Sequence, residues 1–181
     1  MAIISPKLTY EHLRQLPDDG KRYEIVDGEL LVSPSPNRPH QKTVGAFYRF
    51  LYRAEEAGYG EVYVAPFDVF FDDHNVTEPD VLFVSTERVG IIGQNFVNGV
   101  PDVIVEVLSP GTRHRDEGVK LRLYGAAGAR YYWMPHPTER VIYRYELTPE
   151  GFREQPILKE GDVLECPLFP GVTIDVTKLF G

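Results

Sequence analysis

The chain has 181 residues, 43% apolar and 25% charged. That suffices for one domain with a real core and is too apolar for a disordered protein. Lys plus Arg, 19, against Asp plus Glu, 27, leaves a net charge of −8, which excludes a protein that coats nucleic acid through its overall field but not one with a local basic cleft. The one cysteine, Cys166, excludes an internal disulfide and a Cys-based zinc site. No apolar run approaches the ~20 residues of a membrane span, and Met1 to Tyr10 lacks the apolar segment of a secretory signal. A cytoplasmic protein without membrane contact is expected.

Leu8 to Leu16 reads as a short amphipathic helix with Thr9 as its cap, and Pro17-Asp18-Asp19-Gly20 as a turn. Arg22 to Ser33 reads as a β-hairpin closed at Asp27-Gly28. After a Pro/Ser/Asn loop, Asn37 caps a helix over about 38–57, with Pro39 in its first turn and Val44, Phe47, Tyr48 and Leu51 on one face. Glu61 to Phe71 is β-rich and interrupted by Pro66; Asp72 to Asn75 is a polar turn. Pro79 to Val84 and Asp102 to Leu108 are apolar strands, with a loop and a short helix between them. A second helix spans about Thr112 to Ala127 and closes at Gly128. Strands follow at Arg130–Met134, Val141–Leu147, Phe152–Leu158 and Val172–Val176. The order predicts an α/β (α+β) chain: one domain over 1–181, a central mixed β-sheet flanked by helices, an N-terminal β-hairpin and extra C-terminal strands.

Glu106 is the most informative residue. It lies in a run that reads as a strand buried on both faces, where an ionised carboxylate needs a cation, a metal or a hydrogen-bond network. The bland alternative is a carboxylate at the strand's open end, bonded to loop amides. Asp80 follows Pro79 at the start of a neighbouring strand, and two such carboxylates can share a divalent cation. In the second helix Asp116, Val119, Lys120, Leu123 and Ala127 share a face. Its apolar members carry Lys120 inward, against the alternative of a surface pair with Asp116. An inward lysine beside carboxylates can position water or offset developing charge.

These residues resemble the PD-(D/E)XK nuclease superfamily and, more closely, the Uma-two family of restriction endonucleases. The resemblance rests on Tyr23-Glu24-Ile25-Val26-Asp27-Gly28-Glu29-Leu30, Ser33-Pro34-Ser35-Pro36 with His40, and Ala65-Pro66-Phe67-Asp68-Val69. Glu78-Pro79-Asp80, Pro101 to Thr112, Asp116, Lys120, Tyr124, Tyr132-Trp133 and Leu168-Phe169-Pro170-Gly171 continue it, roughly from Tyr10 to Phe180. It implies a restriction-endonuclease-like core with a helix on each side of the sheet. It also implies Mg²⁺ or Mn²⁺ held by Asp80 and Glu106, with Glu24 completing the acidic cluster. The superfamily's lysine stands two residues after the glutamate; here Leu108 has that place, and Lys120 must substitute from the helix.

The implied function is metal-dependent hydrolysis of DNA phosphodiester bonds, with Asp80, Glu106, Lys120, Glu24 and His40 as catalytic residues. Arg113, His114 and Arg115, at the start of the second helix, are candidates for phosphate contacts or else a solvated basic turn. His40, one turn before Val44, can hydrogen-bond a site carboxylate or serve as a core or capping residue. A homodimer is expected, because two sites related by a two-fold axis cut both strands of a duplex most simply. The competing readings are a catalytically idle nuclease fold that binds nucleic acid or a protein, and an enzyme for another phosphate ester.

Overall fold

The computed structural model describes residues 6–181; the opening residues of the stretch read as carrying no signal segment lie outside them. Helix α1 (Tyr10–Arg14) starts beside Thr9, whose amide and hydroxyl both lie within hydrogen-bond distance of His12 Nδ1. Strands β1 (Arg22–Val26) and β2 (Glu29–Ser33) join at Asp27 and Gly28, which take φ of 54° and 79°. Positive φ at both positions is what a two-residue hairpin turn needs to match strand twist. Asn37 caps α2 (Arg38–Glu56) by accepting the His40 amide at 3.0 Å.

Strands β3 (Gly60–Val64), β4 (Asp68–Asp72), β5 (Asn75–Thr77), β6 (Val81–Ser85), β7 (Phe96–Asn98) and β8 (Val103–Val105) follow. A helical run comes next: α3 (Arg113–Arg115), a π-helical turn (Asp116–Lys120) and α4 (Leu121–Ala127). The chain closes with β9 (Tyr131–His136), β10 (Val141–Thr148), β11 (Gly151–Lys159), β12 (Val163–Leu164) and β13 (Ile174–Asp175). Among the described residues no helix is long and apolar enough to cross a membrane.

Six strands build a mixed sheet in the order β11-β10-β9-β8-β6-β3, with β8 and β9 parallel and the other neighbours antiparallel. Val103 and Val105 join Phe47, Phe50 and Trp133 under α2, while Ile104 joins Tyr124, Tyr132 and Met134 under α4. Covered on both faces, β8 therefore reads as an unbroken apolar run. The hairpin heads a second sheet, β2-β1-β5-β4-β7, which packs Val69 and Val97 against Leu82 and Val84 of β6. This arrangement sets the hairpin, the ends of β6 and β8, and the helical run around one opening.

Several elements differ from expectation. The strand expected through Leu108 ends at Val105, although the Glu106 and Leu108 amides still donate to Trp133 and Pro135 of β9 at 3.1 and 2.9 Å. On the other side Pro79 has no N–H to extend a ladder, and the Asp80 carboxylate accepts the Val107 amide at 2.7 Å. The loop expected over Ser85 to Pro101 contains a 3₁₀ turn and also β7, which pairs in parallel with β4. Only two residues of the strand expected at Val172–Val176 pair, as β13, before a 3₁₀ turn begins at Val176.

Candidate active site

The opening is a cleft of about 510 Å³ lined by Glu24, His40, Asp80, Glu106 and Lys120 among others. Val81 and Val105 are register partners, so Asp80 and Glu106 stand one step beyond the last paired rung of β6 and β8. Glu24 comes from β1 and His40 from the first turn of α2. Asp116 and Lys120 come from the π-helical turn, a local widening that often marks functional sites.

Lys120 is 3% exposed and is the hub of the inner wall. Its Nζ lies 2.7 Å from Glu24 Oε1, 2.9 Å from Glu106 Oε1 and 3.8 Å from Asp116 Oδ1. Burial opposes its charge, but these three carboxylates outweigh burial and hold it protonated, above the ordinary lysine range. The Tyr124 hydroxyl donates to Glu106 Oε1 at 2.7 Å and lies 3.1 Å from Thr77 Oγ1. Glu24 Oε1 also accepts the Glu78 amide at 2.8 Å.

The two central carboxylates have different environments. Asp80 Oδ1 accepts from Arg22 Nη1 at 2.8 Å, and its Oδ2 accepts the Val107 amide and faces His40 Nε2 at 3.2 Å. Burial alone would raise its pKa, but His40, Arg22 and the Val107 amide hold Asp80 down to about 2. Burial pushes Glu106 up to about 8: Lys120 opposes the rise, and Asp116, Glu24 and Asp80 add to it. Burial likewise raises Asp116 to about 6 and Glu78 to about 7, against Lys120 and Arg22 respectively. One carboxylate that stays anionic beside one that exchanges a proton near neutrality is a division of labour suited to acid–base chemistry.

The inner wall sets Glu24, Glu78, Asp80, Glu106 and Asp116 against the cations Arg22 and Lys120. This surplus of negative charge and hard oxygen donors suits a divalent cation. The cations already hold the carboxylates, however. Among the described residues no three acidic, histidine or cysteine side chains stand in a geometry that grips a metal ion as it is.

Of the residues singled out from sequence, Glu24, His40, Asp80, Glu106, Lys120 and Arg115 line the cleft, whereas Arg113 and His114 do not. Arg115 Nη1 donates to the Val32 carbonyl at 2.8 Å. Arg113 pairs with Glu117 and Glu139 at 2.9 and 3.2 Å, lies over the Tyr143 ring, and so faces away from the cleft. His114 is exposed. Arg22 and Glu78 were not singled out. Strand alternation offers a signal for Arg22, which lies two residues before Glu24 on the same face of β1. Tyr124, four residues beyond Lys120, follows from helical spacing.

A family model described as "Putative restriction endonuclease", Uma2, matches residues 10–177. No curated protein matches the chain. A solved structure described as a putative nuclease belonging to DUF820, from Anabaena variabilis, superposes with a TM-score of 0.78 at 17% identity, covering 96% of this chain and 97% of that one. At that identity the likeness establishes a shared fold.

Proposed function

Because the chain belongs to the Uma2 family of putative restriction endonucleases, we propose that it is a cytoplasmic, single-domain, metal-dependent endonuclease that hydrolyses DNA phosphodiester bonds. One observation carries the reading: Asp80 and Glu106 end adjacent strands at one cleft, with the Lys120 ammonium 2.9 Å from Glu106. A pure binding module has no need of this set.

Mg²⁺ or Mn²⁺, held by Asp80 and Glu106 with Glu24 beside them, would supply Lewis-acid chemistry at the phosphate and an acidified water. The chain's own groups do the rest. Asp80 remains an anion because His40, Arg22 and the Val107 amide satisfy it. Glu106 is fixed beside Asp80 by the two donors on its Oε1, the Tyr124 hydroxyl and the Lys120 ammonium. Lys120 offsets negative charge as it develops on the phosphoryl oxygens. Arg115, on the cleft wall, contacts a flanking phosphate. A homodimer would present two such sites to the two strands of a duplex.

The second reading, a catalytically idle nuclease fold that binds nucleic acid or a protein, is favoured by the cations already seated on the carboxylates. Calorimetric titration with Mn²⁺ separates the two. A metal-dependent nuclease binds Mn²⁺ and loses that binding in Glu106→Gln; an idle fold shows no Mn²⁺ binding in either protein.

A further inference from the structure

In the mechanism above Arg22 only helps to keep Asp80 ionised, yet it is the cation nearest that carboxylate. It opens β1, on the face that carries Glu24. Its Nη1 lies 2.8 Å from Asp80 Oδ1 and its Nε 2.9 Å from Glu78 Oε1. Nη2 makes no hydrogen bond among the described residues. The side chain lines the cleft and is 21% exposed, against 4% for the Lys120 side chain.

A guanidinium is a planar fork that fits a carboxylate and a phosphate equally well. A divalent cation and Arg22 both seek Asp80, so tighter binding of one weakens the other. Glu78 tethers Nε, which keeps the fork at the cleft wall when Nη1 leaves Asp80. We propose that Arg22 is a substrate-binding residue: it competes with the divalent cation for Asp80 and, once released, binds a phosphate oxygen of the substrate. The proposal rests on the nuclease reading and adds a residue that couples metal occupancy to substrate binding.

The test measures Mn²⁺ affinity by calorimetry, and KM and kcat on an oligonucleotide, for wild type, Arg22→Gln and Arg22→Lys. Circular dichroism checks the fold of each. Arg22→Gln should bind Mn²⁺ about tenfold more tightly, because a unit charge beside a divalent site is gone. Its KM should rise about tenfold while kcat changes far less. Arg22→Lys keeps the charge without the fork, so its Mn²⁺ affinity should stay near wild type while its KM lies between the other two. A merely structural arginine would not strengthen metal binding while weakening substrate binding. Equal or weaker Mn²⁺ binding by Arg22→Gln, or an unchanged KM, would overturn the inference and leave the nuclease reading standing. Should Arg22→Gln fail to fold, Arg22→Lys decides: a raised KM at wild-type Mn²⁺ affinity supports the coupling, and an unchanged KM overturns it. Wild-type protein that neither binds Mn²⁺ nor cleaves would overturn both.

Discussion

Lys120 carries two burdens, and they separate by pH. Its ammonium is the cation shared by Glu24, Glu106 and Asp116, so Lys120→Ala leaves buried carboxylates unpaired. The loss should cost about 3–5 kcal/mol of stability at neutral pH and shrink below about pH 6, where Asp116 takes up its proton. If the lysine also stabilises the transition state, the cleavage rate should fall roughly 10²-fold under conditions where the variant is folded. Mn²⁺ affinity should hold or rise. Unchanged cleavage would reduce Lys120 to a structural counter-ion. Glu106 predicts a pH dependence of its own. It holds its proton up to about 8 in the folded chain, against 4.5 as its ordinary value. Between those values the folded state binds more protons, so its stability is full below about 4.5 and is lost as pH rises through about 8. The metal-free melting temperature should therefore fall from pH 5 to pH 8, and Glu106→Gln should flatten that slope. Parallel slopes would place the titrating group elsewhere. Asp80 acts in the opposite sense. Held at about 2 against 3.8, it adds stability above 3.8 that is lost as pH falls toward 2.

The first turn of α2 links a local signal to the site. Asn37 accepts the His40 amide, and the His40 ring meets Asp80. Asn37→Ala should cost about 1 kcal/mol, a drop of about 2–4 °C in melting temperature, and should lower activity by fraying the turn that carries His40. Loss of stability at full activity would mean that His40 is held by packing instead. This helix and the hairpin were legible from the chain alone because their punctuation is strong: Asn37 with Pro39, and Asp27 with Gly28. Asp80, Glu106 and Lys120 were legible as polar residues carried into apolar patterns. Strands β5 and β7 were not, since three residues hold no readable period and only pairing, of β5 with β1 and β4 and of β7 with β4, makes them strands. The π-helical turn was also hidden. Helical spacing already put Asp116 and Lys120 on one face, and the widening there shows only in the folded backbone. Arg22 could be placed on the Glu24 face by alternation, but nothing local says that it meets Asp80, whose contact lies 58 residues away.

A net charge of −8 describes the surface and hides a cleft in which negative charge gathers at one point. A divalent ion that binds only the folded chain adds about 2.7 kcal/mol at a hundredfold excess over Kd. For a chain of this length that raises the melting temperature by about 5–10 °C. The rise should appear with Mn²⁺ in wild type and vanish in Glu106→Gln; an equal response in both would remove Glu106 from the metal site. Family membership points to a nuclease, while the cations resting on the acidic cluster favour an idle one. The decisive measurement is cleavage of supercoiled plasmid and of single-stranded DNA in Mn²⁺, wild type beside Asp80→Asn. Wild type should cleave, and a folded Asp80→Asn should lose at least about 10²-fold in rate together with its Mn²⁺ binding. Absence of cleavage by wild type, or equal cleavage by the two proteins, would overturn the metal-dependent nuclease reading.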